Sequence, residues 1–162
     1  MTLRRPTRLA YFDYIGRVAY SLTICTYQRH PAFSDHDFAR EAVSRLLRTA
    51  QKFGVALIAY SLMPDHVHLI VLGERDDSPL ESFVRSWNTQ TGFLWRRRTG
   101  GTLWQSGYFE RIVRSDVSLI LEARYVFMNP VRAGLVEKPE DYPFSGSTTY
   151  TIADIMDDGD GR

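Results

Sequence analysis

Cysteine and long apolar runs are scarce in this sequence of 162 residues, and each scarcity excludes a class of protein. A single cysteine, Cys25, excludes an internal disulfide framework and fits a reducing compartment. The longest largely apolar run, residues 55–63, is too short to cross a bilayer, and no N-terminal stretch has the pattern of a signal peptide. We therefore expect a soluble cytoplasmic protein without a membrane partner, formed by one globular domain that is long enough to bury a core.

The charged residues are unevenly distributed, both in type and along the chain. Eighteen of the twenty basic residues are arginine, whose planar guanidinium matches phosphate geometry and stacks on bases. A high-GC genome would produce the same bias, so this alternative stays open. The net charge is +1, but residues 153–162 contain four aspartates and one arginine, and the remaining chain has 19 basic and 15 acidic residues. Charge therefore permits a DNA partner without requiring one.

The spacing of apolar residues predicts a strand, a helix, two strands, a helix, a strand and then one further helix. The predicted strands cover residues 18–26, 55–62, 66–72 and 108–113. The predicted helices cover residues 35–53, a segment opened by a capping box at residues 78–81, and residues 116 to about 128, where Pro130 should end the helix.

This order of elements predicts the fold. Its first six members form the split repeat of a ferredoxin-like sandwich, an α+β fold with one four-stranded antiparallel sheet and helices on one face. The last helix is an addition to that fold. We expect residues 1–152 to form this single domain, with an irregular basic arm at residues 1–16 and an acidic, disordered tail at residues 153–162.

Two histidines flank one valine at the start of the third predicted strand. Side chains alternate along a strand, so His66 and His68 should project from one face while Val67 points to the other. Two neutral imidazoles side by side provide two ligands for a metal ion. No cysteine, aspartate or histidine follows at zinc-finger spacing, which disfavours structural zinc. Taken alone, the motif more often marks two ordinary sheet histidines than a metal site.

The last predicted helix has a tyrosine on its polar side. At 100° per residue its apolar stripe comprises Leu119, Ile120, Ala123, Val126 and Phe127. Tyr125 lies roughly opposite this stripe, and Asn129 follows one turn later. A phenol is a weak nucleophile unless its target is activated, as a divalent ion on a phosphate would do. The two histidines and the carboxamide oxygen of Asn129 could hold such an ion, whereas the alternative is a surface tyrosine beside a helix-terminating asparagine.

Several segments together resemble the HUH single-tyrosine transposases. The segments are YSLMPDHVHLI (residues 60–70), WQSGYF (104–109), YVFMNPVRAGLV (125–136) and YPFSGS (142–147), together with the arginine-rich opening that runs through TICT at residues 23–26. The similarity covers residues 4 to 149 approximately, and the most similar branch is the REP-associated tyrosine transposases. The family tail usually reads YPWSS, so Phe144 and Gly146 depart from it without affecting a catalytic group.

The resemblance implies a mechanism and a set of site residues. It implies a ferredoxin-like fold that cleaves single-stranded DNA at hairpins through a covalent 5′-phosphotyrosine, leaving a free 3′-OH. His66 and His68 then correspond to metal ligands, Tyr125 to the nucleophile and Asn129 to the third ligand, a position where related branches use other polar residues. We expect the ion to be Mg²⁺ or Mn²⁺, because its partners are hard phosphate oxygens. Both dimers with exchanged tyrosines and self-contained monomers occur among relatives, so a homodimer is left open.

Arginine clusters are the predicted DNA contacts. The expected partner is single-stranded DNA or a DNA hairpin with a single-stranded flank. We expect a cytoplasmic protein associated with the bacterial nucleoid. The predicted DNA-binding residues are Arg4, Arg5, Arg8, Arg96, Arg97, Arg98 and Arg132. Two other classes stay open: a DNA-binding module that has lost catalysis, and a small metallohydrolase in which Asp65 would act as the general base.

Overall fold

The computed structural model of the protein describes residues 18–157. The predicted arm, with Arg4, Arg5 and Arg8, therefore lies outside the described residues, as do residues 158–162. Within residues 18–157, none of the helices combines the length and the apolar character that crossing a membrane would need. The elements follow in the order β1 (Ala19–Cys25), α1 (His36–Phe53), β2 (Val55–Met63), β3 (His66–Gly73), α2 (Leu80–Thr99), β4 (Phe109–Val113), α3 (Asp116–Arg132), β5 (Ser145–Gly146) and α4 (Ile152–Asp157).

The strands form one antiparallel sheet with the order β4-β1-β3-β2-β5. The first four strands confirm the predicted ferredoxin-like α+β fold. β5 is an additional strand of two residues, which pairs with Tyr60 and Ser61 of β2. The prediction of four strands missed β5, because two residues are too few to show an alternating pattern.

The two faces of the sheet are covered by different helices. α1 and α2 pack on one face, where Val67 and Leu69 belong to the larger hydrophobic core. α3 packs on the other face, where its Phe127 meets Ile70 in a smaller core. β2 contributes to both cores, so all nine of its residues are buried even though their side chains alternate between the faces. The sheet therefore offers α3 a rigid, apolar surface.

Two of the helices begin at residues whose side chains cap them, and α1 also ends at a residue suited to its terminus. The carboxylate of Asp35 accepts a hydrogen bond from the backbone N–H of Phe38 at 3.1 Å, which satisfies one free donor at the start of α1. Gly54 ends α1 with a φ of 64°, a left-handed conformation that glycine adopts without strain. α3 is capped in the same way, because the hydroxyl of Ser115 accepts a hydrogen bond from the backbone N–H of Ser118 at 3.1 Å.

The capping box predicted at residues 78–81 does not form. α2 has Pro79 in the N-cap position, without a side-chain hydrogen bond. Ser78 is buried, and its hydroxyl accepts from the backbone N–H of Arg75 at 3.0 Å and donates to the carbonyl of Gly54 at 2.7 Å. The serine therefore serves buried backbone groups of the preceding loop, which have no water to satisfy them.

α3 continues through Pro130, so the predicted end near residue 128 was wrong. A proline lacks the N–H that would otherwise bind the carbonyl of Val126 in the preceding turn. The carbonyl of Pro130 still accepts from the backbone N–H of Leu135 at 2.9 Å, and the proline is buried. These contacts stabilise one further turn, which places Arg132 on the same helix as Tyr125.

α4 (Ile152–Asp157) includes the first residues of the segment predicted to be a disordered tail. Ile155 is buried in the smaller core beside α3, and its carbonyl accepts from Nε of Arg124 at 2.7 Å. Thr151 and Asp154 cap α4 reciprocally, each side chain accepting from the backbone N–H of the other at 3.0 and 3.2 Å. The prediction of disorder was therefore wrong for residues 153–157: the acidic composition suggested it, but one buried isoleucine and a local cap order the segment.

Candidate active site

Two histidines lie side by side at the start of β3. The register of the sheet pairs His66 with Cys25 of β1 and His68 with Thr23. Val67, between the two histidines, is fully buried in the larger core on the opposite face. The two imidazoles therefore lie on the face that α3 covers, as the alternation along a strand requires. Their ring centroids are 4.8 Å apart, with the planes at 85°.

Hydrogen bonds determine which nitrogen of His66 carries the proton. Its Nδ1 donates to Oδ1 of Asp65 at 2.7 Å, and Oδ2 of the same carboxylate accepts from Nε of Arg29 at 3.1 Å. Because a carboxylate can only accept, Nδ1 is protonated and Nε2 retains a free lone pair. Burial works to raise the pKa of Asp65, but the hydrogen bond from His66 and the charge of Arg29 outweigh it and hold that pKa below its usual value. Nε2 of His66 points toward α3 and accepts a hydrogen bond from the side-chain nitrogen of Asn129 at 3.3 Å.

His68 has a weaker partner and a more buried ring. Its Nδ1 lies 3.1 Å from the hydroxyl of Thr23, which can either donate or accept. Burial, together with the smaller effects of the charges of His66, Arg132 and Arg29, lowers the pKa of His68 to about 4. Burial also lowers the pKa of His66, although the hydrogen bond to Asp65 opposes this effect. Both imidazoles are therefore neutral at neutral pH, which is the form that binds a metal ion.

Tyr125 lies on the exposed side of α3. The side chain is 60% exposed, whereas Val126 and Phe127 are buried, as the apolar stripe predicts. Its ring centroid lies 6.4 Å from that of His68, with the rings nearly perpendicular. The guanidinium of Arg132 lies over the phenol ring at 4.0 Å from the centroid and donates to the backbone carbonyl of Tyr125 at 2.7 Å. The phenol is thus held beside the two histidines and next to a positive charge.

The side chains around the histidines fit a small divalent ion. Among residues 18–157, no group of three histidine, cysteine, aspartate or glutamate side chains converges on one point. The available donors are instead His66, His68 and the amide of Asn129, a neutral set that leaves coordination positions free. Both oxygens of Asp65 are already engaged by His66 and Arg29. We predicted the amide oxygen of Asn129 as the donor atom, whereas the structure directs its nitrogen toward His66; a half-turn of the amide exchanges the two atoms.

The family comparison covers most of the chain. A family model described as "Transposase IS200 like" matches residues 15–129, a range that includes the first four strands, both histidines, Tyr125 and Asn129. The chain belongs to the IS200-like transposase family.

Individual relatives of this IS200-like transposase point to one branch. A protein of Haemophilus influenzae named for REP-associated tyrosine transposases is 28% identical over 158 residues, which are 88% of this chain and 87% of the relative. The REP-associated tyrosine transposase of Escherichia coli K12 is 28% identical over 88 residues, which are 54% of this chain and 51% of that protein. A solved structure of a REP-associated tyrosine transposase bound to a REP hairpin matches with a TM-score of 0.67 and 21% identity, over 86% of this chain and 82% of that one. At this identity the structural match shows the shared fold.

The predicted DNA-binding arginines of the transposase fall into separate regions. Arg132 lies at Tyr125, as described above, and the three arginines of residues 96–98 are exposed at the end of α2. Arg98 pairs with Asp35, and the guanidinium of Arg97 lies 5.8 Å from the ring centroid of Phe93, which is 60% exposed. This end of α2 also contacts the segment after β1, through a ring pair between His30 and Trp95 at 5.7 Å.

Two residues of the site were not anticipated. Thr23 and Arg29 contact the histidine side of the site from β1 and from the turn that follows it, about 40 residues earlier in the chain. Thr23 could have been found from the alternation of β1, once its register with β3 was known. Arg29 has no such signal, because it follows the strand in an irregular turn.

The pKa of His68 predicts how the stability of the protein in the presence of a chelator depends on pH. The pKa is about 4 in the folded state and 6.5 in the reference state, so the unfolded chain binds its proton first as the pH falls. The free energy of unfolding is therefore highest above pH 6.5. It falls progressively down to pH 4, by an amount on the order of 3 kcal/mol. Urea unfolding in chelator at pH 7 and pH 4.5 measures this loss.

Substitution of His68 identifies the origin of that pH dependence. His68→Gln should make the difference between the two pH values clearly smaller, because glutamine does not titrate, and His66, whose pKa burial also lowers, accounts for part of what remains. His36→Gln is the matched control, since His36 is exposed at the start of α1. An unchanged pH dependence in His68→Gln would contradict the assignment.

Proposed function

We propose that this transposase cleaves single-stranded DNA beside a hairpin or palindromic repeat and joins the 5′ phosphate of the cut strand to Tyr125 for strand transfer. One observation carries the proposal: an exposed phenol lies beside two neutral imidazoles, a carboxamide and an arginine. Its exposure leaves the phenol accessible to a substrate, whereas the phenol of Tyr142 is buried in the core. An exposed tyrosine beside metal-binding side chains is suited to attack a phosphate.

The proposed reaction exchanges one phosphodiester for another. Oη of Tyr125 forms a bond to the scissile phosphorus while the bond from phosphorus to the 3′ oxygen breaks. The phenol loses its proton to solvent, and the released 3′ oxygen takes one up, so the exchange is balanced. A 3′-OH can reverse the step without ATP, because both bonds are phosphodiesters. A divalent ion, expected to be Mg²⁺ or Mn²⁺ and held by His66, His68 and Asn129, would supply polarisation of the phosphate.

Arg132 has two tasks in this proposal. Its guanidinium lies over the ring of Tyr125 and donates a hydrogen bond to the backbone carbonyl of the same residue, which restricts the rotamers of the phenol. It also provides a positive charge where the scissile phosphate must arrive. We therefore assign Arg132 to phosphate binding at the site of cleavage.

The arginines of α2 are suited to bind DNA outside the site. Arg96, Arg97 and Arg98 form an exposed basic group, and the exposed Phe93 beside Arg97 offers an aromatic face for a base. The related structure bound to a REP hairpin supports a hairpin as the partner class. We propose that this group, with Arg4, Arg5 and Arg8, binds the phosphates of such a hairpin.

A metallohydrolase is a weaker candidate for this site. That reaction needs a general base beside the ligands to activate water, and Asp65 is the nearest carboxylate in sequence. Its two oxygens accept hydrogen bonds from His66 and Arg29 instead. A hydrolase reaction also gives no role to the exposed phenol of Tyr125.

A hairpin with a single-stranded flank should be cut in the flank, and the protein should retain the fragment that lies 3′ of the cut. An unpaired strand can bend into a narrow site, whereas a stacked duplex holds its backbone in a fixed curve. Oligonucleotides from palindromes that flank the gene, labelled at either end, test this on denaturing gels. The 3′ label should migrate with the protein, and the 5′ label should appear on a free fragment ending in 3′-OH.

The control for substrate form is the same sequence in a fully paired duplex, which should be cut much more slowly. Equal cleavage of the duplex, or a 5′ label attached to the protein, would be incompatible with the proposed mechanism.

A further inference from the structure

We infer that Arg29 is a positioning residue for the candidate metal site: through Asp65 it fixes the tautomer and orientation of His66. The inference rests on the proposed function, in which Nε2 of His66 is a ligand atom. Arg29 itself does not contact the ligand atom. It acts on the carboxylate that lies on the other side of the imidazole ring.

Three side chains form a continuous chain of hydrogen bonds. Nε of Arg29 donates to Oδ2 of Asp65 at 3.1 Å, and Oδ1 of Asp65 accepts from Nδ1 of His66 at 2.7 Å. These hydrogen bonds join the turn after β1 to the turn between β2 and β3, and they end on the first residue of β3. Exposure falls along them, from 47% for the Arg29 side chain to 31% for Asp65 and 16% for His66. An ion pair this exposed contributes little to stability, and its geometry serves instead to orient the imidazole.

The backbone at Arg29 is strained in a way that this contact explains. Gln28 and Arg29 have φ values of 52° and 55°, in the left-handed region that residues other than glycine rarely adopt. Strain of this kind persists where the surroundings enforce it, and it is frequent at functional sites. The side chain of Arg29 turns back toward the sheet, where it reaches Asp65 and also donates from Nη1 to the sulfur of Cys25 at 3.1 Å.

The surroundings of the turn enforce its conformation from both sides. The hydroxyl of Thr26, a fully buried residue, lies 2.8 Å from the carbonyl of His30 and 2.9 Å from that of Asp65. The backbone N–H of Thr26 donates to the same Asp65 carbonyl at 3.0 Å, and that of Tyr27 donates to the carbonyl of Leu103 at 2.8 Å. The turn is thus anchored to the very residue whose carboxylate Arg29 binds.

Loss of Arg29 should release the imidazole of His66. The Asp65 carboxylate is partly exposed, so without the guanidinium it can rotate toward water. The imidazole then gains access to the tautomer protonated at Nε2, which has no lone pair for a cation. His68 differs, because its Nδ1 partner is the hydroxyl of Thr23. A change at Arg29 should therefore affect His66 and leave His68 as it was.

Nitrogen NMR of the metal-free protein, labelled with ¹⁵N-histidine, reports the tautomers directly and needs no DNA. In the unmodified protein at neutral pH, His66 should be protonated at Nδ1 and bare at Nε2. Arg29→Gln should give a mixture of tautomers at His66, with His68 unchanged. Arg85→Gln is the matched control, because it breaks an exposed ion pair with Glu81 on α2 at 3.0 Å. A His66 tautomer unchanged in Arg29→Gln would overturn the inference.

Mn²⁺ binding measured by calorimetry provides the second test. Arg29→Gln and Asp65→Ala should each weaken binding by about 10- to 100-fold, and Arg29→Lys should lose less because it keeps the charge. The double variant should bind no more weakly than Asp65→Ala alone, since Arg29 acts through Asp65. Fully additive losses would overturn this route. If the unmodified protein showed the predicted tautomer but formed no adduct with DNA, the proposed function would fail while the role of Arg29 stood.

Discussion

Tyr125→Phe should abolish the covalent adduct between protein and DNA while leaving the fold and the DNA affinity unchanged. The substitution removes one hydroxyl from a side chain that is 60% exposed, so the core of the protein is not disturbed. The ring contacts with His68 and Arg132 are retained, since both involve the aromatic ring and not the hydroxyl. Without the nucleophile, adduct formation should fall by on the order of a thousandfold or more. Denaturing gels measure the adduct, and thermal unfolding with hairpin titration checks fold and affinity.

Tyr150→Phe is the matched control, because Tyr150 is also exposed, at 47%, and lies outside the site. It should form the adduct at the normal rate. An undiminished adduct in Tyr125→Phe would remove Tyr125 from the mechanism and direct attention to Tyr108, Tyr142 and Tyr150. Of these, Tyr142 is unsuited to attack, because burial raises its pKa to about 12 and its hydroxyl donates to the carbonyl of Leu62 at 2.5 Å.

His66→Ala and His68→Ala should each reduce cleavage by about a hundredfold or more. Each substitution removes one of the two imidazoles of the candidate metal site, and among residues 18–157 no other cluster of acidic or histidine side chains could replace it. Asn129→Ala should cost less, because a water molecule can replace a neutral amide. Cleavage rates at increasing Mn²⁺ concentration measure the effect, and high Mn²⁺ should restore part of the Asn129→Ala activity.

His36→Ala is the control for histidine loss, because His36 is exposed at the start of α1. Its cleavage rate and Mn²⁺ dependence should match those of the unmodified protein. Full cleavage in a strong chelator, or by His66→Ala, would show that the reaction does not need the histidine pair.

Periodic patterns in the sequence predicted most of the fold and the orientation of the key side chains. Burial sets these patterns: alternation along β3 placed His66 and His68 on one face, and the apolar stripe of α3 left Tyr125 exposed. The same patterns did not reveal β5, which is too short to show alternation. They also did not predict that α3 continues beyond Pro130, because contacts outside the local sequence determine where this helix ends.

The contacts that orient the site lie beyond local patterns. Arg29 and Asp65 are 36 residues apart, and their contact depends on two turns whose relative position only the sheet register defines. The left-handed turn at Gln28 has no glycine or asparagine to indicate it. The direction of the Asn129 amide is likewise set by a hydrogen bond to His66, across the boundary between sheet and helix. Sequence patterns thus located the candidate ligand residues but not the long-range contacts around them.

Mass spectrometry of the trapped adduct tests the central claim most directly. Trypsin should cut after Arg124 and Arg132, releasing residues 125–132 as a peptide in which Tyr125 is the only tyrosine. After incubation with a hairpin oligonucleotide carrying a single-stranded flank, and nuclease digestion, this peptide should carry a nucleotide joined through its 5′ phosphate. A modification on another peptide, or the absence of any nucleotide-bearing peptide under conditions that cut the oligonucleotide, would contradict catalysis by Tyr125.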